Sequence, residues 1–267
     1  MPDSDWHSAA DGRMTLRVET DGRGADVVLL HGWGLHGGVF ERVAAELSAH
    51  YCVHRVDLPG HGGSPSLESF SGERVADLLA MHFPWPVHVL GWSLGGLVAQ
   101  YWALRHAAQV KSLALVATSP CFVRKEDWPH AQSADAIEAV AESLDREFDA
   151  TLERFLALQM LGSKSARDTL KALRAQLFAH GRPQGLRPAL QLLLDADLRA
   201  EVGTIHCPVG LFYGQRDVIT PQGAGQWLAE QLPDAQLITF AQASHAPFLS
   251  HEAAFVARLA EFLDCHA

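Results

Sequence analysis

Gly91-Trp92-Ser93-Leu94-Gly95 has the form G-x-S-x-G and lies between an apolar run, Val87 to Leu90, and a helical stretch beginning near Gly96. A serine on so sharp a strand-to-helix turn carries its hydroxyl above the sheet, and the flanking glycines stand where side chains would strike neighbouring backbone. A turn whose serine only caps the helix would have the same five letters, so the other parts of the chemistry must be sought along the chain. A serine hydroxyl is a weak nucleophile at neutral pH and needs a base within hydrogen-bond reach, itself held by a third group. In this kind of site the order along the chain is serine, acid, histidine.

The candidate acid is Asp217, in Phe212-Tyr213-Gly214-Gln215-Arg216-Asp217, just past an apolar run. A simple turn aspartate would have the same setting. The candidate base is His245, in Ala243-Ser244-His245-Ala246-Pro247-Phe248. Of the fifteen histidines it alone combines a C-terminal position, a preceding strand and an acid loop about one strand-helix unit upstream. The tetrahedral intermediate of acyl transfer also needs two backbone donors. Leu94 N–H follows the nucleophile, and Trp33 N–H, in His31-Gly32-Trp33-Gly34, is assigned as the second. His31 itself is read as a structural histidine that bonds nearby backbone.

These residues need a sheet to place them. Val27 to Leu30, Val53 to Val56, Val87 to Leu90, Leu113 to Val116, Val209 to Tyr213 and Leu237 to Phe240 read as short strands, most of them apolar and ending in turn chemistry. They alternate with amphipathic stretches, the pattern of an α/β fold whose mostly parallel sheet has helices on both faces. Ala253 to Leu263 reads as a closing helix. The alternation breaks once, from Cys121 to Thr204, where no strand is evident and Leu144, Phe148, Leu152, Phe155 and Gln159 recur at helical steps. The expected organisation is therefore a core of residues 14–120 and 205–267, an inserted helical cap of residues 121–204 and a flexible tail of residues 1–13.

Composition narrows the function classes. The net charge of −10 argues against a general nucleic-acid binder, which needs a basic surface. The four cysteines are scattered, with no C-x-x-C pair and no spacing that gathers a zinc ion, so neither a metal nor any other cofactor is expected. No apolar run reaches membrane-spanning length and the N-terminus lacks a signal-peptide pattern, so a cytoplasmic protein without membrane attachment, acting as a monomer, is expected. One segment departs from the overall charge: Ser163 to Pro188 holds six basic residues (Lys164, Arg167, Lys171, Arg174, Arg182, Arg187) and a single acid, Asp168. Lys164, Arg167, Lys171 and Arg174 fall on one helical stripe beside Leu170, Leu173 and Leu177. An acidic partner would meet such a face, and so would plain solvent.

His31-Gly32-Trp33-Gly34, Asp57-Leu58-Pro59-Gly60-His61-Gly62, Gly91-Trp92-Ser93-Leu94-Gly95-Gly96 and Ser244-His245-Ala246-Pro247-Phe248 together resemble the α/β-hydrolases across the whole chain. Within the cap, Ser119-Pro120-Cys121-Phe122, Asp127-Trp128-Pro129 and Glu153-Arg154-Phe155-Leu156-Ala157-Leu158-Gln159 resemble the pimeloyl-carrier-protein methyl ester esterases of biotin synthesis. That resemblance implies cleavage of a methyl ester at the far end of a pimeloyl chain borne by acyl carrier protein. It also implies an acyl site formed by Trp33, Ser93, Leu94, Phe155, Leu156, Ala157, Leu158, Gln159 and His245, and carrier contacts at Arg154, Arg167 and Lys171. Thioesterase, carbon–carbon hydrolase and general short-chain carboxylesterase activities use the same three catalytic residues, and a hydrolase-fold ligand receptor would use the same cleft. Ser93 excludes the dehalogenase and epoxide hydrolase chemistry that needs an aspartate at this turn.

Overall fold

A computed structural model describes residues 15–159, 170–171, 174 and 180–267. The expected tail of residues 1–13 lies outside these. Seven strands form one sheet: β1 (Val18–Gly22), β2 (Ala25–Leu30), β3 (Tyr51–Val56), β4 (Val87–Trp92), β5 (Val110–Val116), β6 (Val209–Gly214) and β7 (Ala235–Phe240). Their spatial order is β1-β3-β2-β4-β5-β6-β7. Only β1 runs antiparallel, pairing Val18 with Val56 and Gly22 with Cys52. The central strands are covered on both faces, which is why β4 is buried at every position and reads as an apolar run broken only by His88. At the far edge β7 has one covered face, and its burial alternates.

The longer helices among the described residues are α1 (Glu41–Leu47), α2 (Gly72–His82), α3 (Leu94–Arg105), α4 (Ala134–Arg146), α5 (Phe148–Gln159), α6 (Leu186–Asp195), α7 (Gln222–Gln231) and α8 (Glu252–Asp264). Ser71 and Ser133 cap α2 and α4, each hydroxyl accepting a hydrogen bond from a first-turn amide. Helix α3, which starts at the residue after Ser93, is sunk into the core from Leu94 through Gln100.

The chain leaves the sheet after β5 and returns before β6. The two crossings are tied together: Cys121 bridges Asp197, and Leu198 N–H donates to Pro120 O at 2.9 Å. Lys125 and Arg199 both reach Asp197, and the Arg199 fork holds that carboxyl well below the usual carboxylate range. Between the crossings lie α4, α5 and α6. Their apolar stripes, including Leu144, Leu152, Leu156, Leu190 and Leu193, face inward and join the main hydrophobic core.

Candidate active site

The turn after β4 is built around Ser93, whose φ of 54° and ψ of −115° place a non-glycine residue in sparsely populated backbone space. Such a conformation costs on the order of 1–3 kcal/mol and persists only where the surroundings fix it. Here they do: Ser93 N–H donates to Val116 O at 3.0 Å, and Thr118 Oγ1 donates to Ser93 O at 2.7 Å. The glycines at either side are steric necessities. A Cβ at Gly91 would stand 2.4 Å from Gly95 O, and one at Gly95 would stand 2.1 Å from Leu30 O.

Asp217 follows β6 and His245 follows β7, so neighbouring parallel strands deliver both to the same edge as Ser93. His245 Nδ1 lies 2.8 Å from Asp217 Oδ2, and both side chains are buried. The carboxylate accepts three further bonds. Ile219 N–H and Thr220 N–H reach Oδ1 at 2.8 and 3.0 Å, and the Thr220 hydroxyl donates to Oδ2 at 2.8 Å. Thr220 Oγ1 also sits 3.3 Å from His245 Nδ1. With its oxygens accepting from so many donors, the carboxylate orients the imidazole as the tautomer with hydrogen on Nδ1. His245 Nε2, the ring's other nitrogen, is buried and without a hydrogen-bond partner among the described residues.

Two contacts set the backbone of residue 245. Trp92, next to Ser93, donates from Nε1 to His245 O at 2.8 Å, and its ring lies 5.6 Å from the imidazole. From the cap, Gln159 O accepts from His245 N–H at 3.2 Å.

On the opposite side, Leu94 N–H belongs to the first turn of α3, where amides have no acceptor within the helix. Trp33 is buried. Its indole donates to Leu186 O at 2.8 Å and meets the Phe155 ring edge-on at 4.8 Å. The loop behind it is pinned by Asp57, which accepts from Gly37 N–H and Gly63 N–H at 2.8 Å each. His31 accepts from Leu58 N–H on Nε2 at 2.9 Å and bonds Gly32 O through Nδ1 at 2.8 Å. Burial, with neighbouring His61 adding to it, keeps the His31 pKa well below the ordinary histidine value. It serves as a neutral brace and not as a second base.

The expected acyl-site stretch does not act as one unit. Phe155 is half-buried, Leu156 and Gln159 are buried, and Ala157 and Leu158 are exposed, Leu158 at 42%. Each helical residue turns about 100° from the last, so five consecutive positions cannot share a face. Phe155, Leu156 and Gln159 are the inward members of the stretch, and Ala157 and Leu158 face outward. Among the expected carrier contacts, Arg154 is exposed and pairs with Glu147 at 3.0 Å, Lys171 is exposed, and Arg167 lies outside the described residues. The basic segment is also less one-sided than its sequence. Arg174 pairs with Glu153, Arg182 with Asp149 and Arg187 with Asp145, so acids on α4 and α5 answer several of its cations.

Sequence reasoning did not find Thr220 or the Trp92 indole. The signal for Thr220 was present as a hydroxyl three residues after an acid at a strand end, the spacing at which an aspartate accepts from both the amide and the hydroxyl of the later residue.

Comparison with known proteins gives a consistent result. A family model described as the alpha/beta hydrolase family matches residues 27–258. A protein of Chromobacterium violaceum named pimeloyl-[acyl-carrier protein] methyl ester esterase is 69% identical over 254 residues, 95% of this chain and 100% of its own. A protein of the same name from Nitrosomonas europaea is 42% identical over 245 residues, 91% of this chain and 97% of its own. Among solved structures, an esterase from Exiguobacterium antarcticum superposes with a TM-score of 0.88 at 23% identity, covering 96% of this chain and 97% of its own, a likeness of fold.

Proposed function

The chain belongs to the alpha/beta hydrolase family, and we propose that it is a serine carboxylesterase that cleaves the methyl ester of pimeloyl-[acyl-carrier protein] in biotin synthesis. The observation that carries the chemistry is the buried His245–Asp217 pair at 2.8 Å, delivered by two strand ends to the edge that carries Ser93. The high identity to esterases of that name carries the substrate.

In this reading His245 Nε2 takes the Ser93 proton as Oγ attacks the ester carbonyl, and Asp217 steadies the imidazolium that forms. The carbonyl oxygen becomes an anion held by Leu94 N–H and Trp33 N–H. Collapse expels methanol, which receives its proton from His245, and leaves the pimeloyl chain esterified to Ser93. Water, deprotonated by the same imidazole, attacks this acyl-enzyme and releases the free carboxylate. Trp33, Phe155, Leu156 and Gln159 line the acyl chain, and no cofactor enters any step.

The acidic carrier docks on the cap through Arg154, Arg167 and Lys171, which lie on or beside the segment richest in positive charge. The enzyme works in the cytoplasm as a monomer. The expected result is a higher kcat/KM for the carrier-borne methyl ester than for free pimeloyl methyl ester, with the advantage reduced by charge reversal at those three positions. Equal specificity constants would remove the carrier from the reading. Failure of the gene to restore growth to a strain unable to make pimeloyl thioester, under conditions where the Chromobacterium relative succeeds, would remove the substrate.

A further inference from the structure

The margin of the sheet opposite Ser93 carries a second group of side chains that ester cleavage does not use. Asp26 is the second residue of β2, at the end away from the His31 loop, and it pairs across the sheet with Cys52 of β3. His54, two residues further along β3, shares a face with Cys52 and pairs with Thr20 of β1. Register therefore gathers a carboxylate, a thiol and an imidazole, whose ligand atoms all lie within 4.8 Å of one another. His54 Nε2 is 2.7 Å from Asp26 Oδ1, and its Nδ1 is 3.0 Å from Thr20 Oγ1. The Phe83 ring, 5.1 Å from the imidazole, shields one side. The Asp26 side chain is 28% exposed, which leaves a route from solvent.

We propose that Asp26, Cys52 and His54 bind a soft divalent cation of the zinc class, with solvent in the fourth position. Sulfur, nitrogen and one carboxylate oxygen are the donor set that suits zinc, whereas magnesium and calcium seek all-oxygen surroundings. Thr20 supplies what a ligating histidine needs behind it, a hydroxyl that accepts from Nδ1–H and so leaves Nε2 bare for the metal. Binding moves the imidazole hydrogen from Nε2 to Nδ1 and sends the Cys52 thiol proton to solvent, one proton per ion. The ion would clamp β2 to β3 beside the edge strand, as a structural element independent of the triad.

Cobalt(II) is the probe, because a thiolate ligand gives it an intense charge-transfer absorption in the near ultraviolet. The full-length protein is expected to show this band at stoichiometric cobalt, to lose it when zinc is added, and to melt at a higher temperature in zinc. Cys52→Ser should abolish the band, His54→Ala should weaken binding by more than tenfold, and Thr20→Val by about tenfold, as for loss of a partner behind a ligand. Cys265→Ser, which alters an exposed cysteine, should change nothing. The absence of the band in the wild-type protein at saturating cobalt would overturn the proposal. So would a band that survives Cys52→Ser, or a zinc-induced rise in melting temperature that is equal in wild type and His54→Ala.

Discussion

The strand-end edge and the cap are held by different kinds of interaction. At the edge, Asp217 spends its buried carboxylate on two amides, a hydroxyl and an imidazole, and Ser93 is fixed by bonds to Val116 and Thr118. On cap helices α4 and α5, by contrast, there are exposed pairs such as Arg154 with Glu147 and Arg182 with Asp149. Buried charge-assisted bonds are costly to break, while exposed ion pairs contribute little and are screened by salt. In the proposed function, the molecule thus separates a device for moving a proton from a surface whose charges can be exchanged for those of a partner. Among the points where the two meet are Trp33 with Leu186 and Phe155, Gln159 with His245, Gln132 with Val218 O and Ile219 O beside Asp217, and Gly185 N–H with Gly60 O at 2.8 Å.

If the edge is the chemical device, its parts should fail steeply. Ser93→Ala is expected to lower kcat on the order of a millionfold in single-turnover assays, as loss of a nucleophile does in serine hydrolases. Retention of more than about one part in a thousand would mean that another group attacks. Thr220→Val keeps shape and removes a hydrogen bond to a buried charge, a contribution of about 1.5–3 kcal/mol. The expected outcome is a fall in kcat of roughly ten- to a hundredfold with KM unchanged, and an altered pH profile of kcat. A rise in KM alone would make Thr220 part of substrate binding.

The edge should also be sensitive to acid through its braces. Burial pushes His61 down to about 4, and it does the same to His88 in the core, also to about 4. In the unfolded chain both take up a proton near 6.5, so their contribution to stability is full above that pH and is lost as pH falls toward 4. Each contributes a slope of about 1.4 kcal/mol per pH unit within that window. Melting temperatures measured across it should fall with acidification and fall less steeply in His61→Gln.

The cap should respond by degrees. Phe155→Ala removes an edge-on ring contact worth about 0.5–1.5 kcal/mol and should raise KM a few-fold, while Leu158→Ser, at an exposed position of the same helix, should leave it unchanged. Equal effects would mean that Leu158 lines the acyl chain as closely as Phe155 does. Smallest of all, reversal of charge at Lys171 should cost roughly 1 kcal/mol or less with the carrier-borne ester. That effect should vanish in high salt and be absent with a free ester.

The same contrast explains what could be read from the chain. The parallel strands were legible because β2, β4, β5 and β6 are largely buried on both faces and therefore mostly apolar. The edge strand β1, Val-Glu-Thr-Asp-Gly, was not, since its exposed face leaves polar residues with no run to recognise. Ser93, Asp217 and His245 stood out because each sits at a strand end in distinctive turn chemistry. The pairing of the basic segment with Asp145, Asp149 and Glu153 did not, because those partners lie 21 to 42 residues away along the chain and only helix packing brings them near.

The central claim is a covalent one, that an acyl group passes through the oxygen of residue 93. Incubation with a fluorophosphonate, followed by proteolysis and mass spectrometry, measures it directly. A single adduct on the peptide bearing Ser93, formed in step with loss of ester turnover and slowed by His245→Ala, is the predicted result. Full loss of turnover with Ser93 unmodified and the label on another residue would contradict the account.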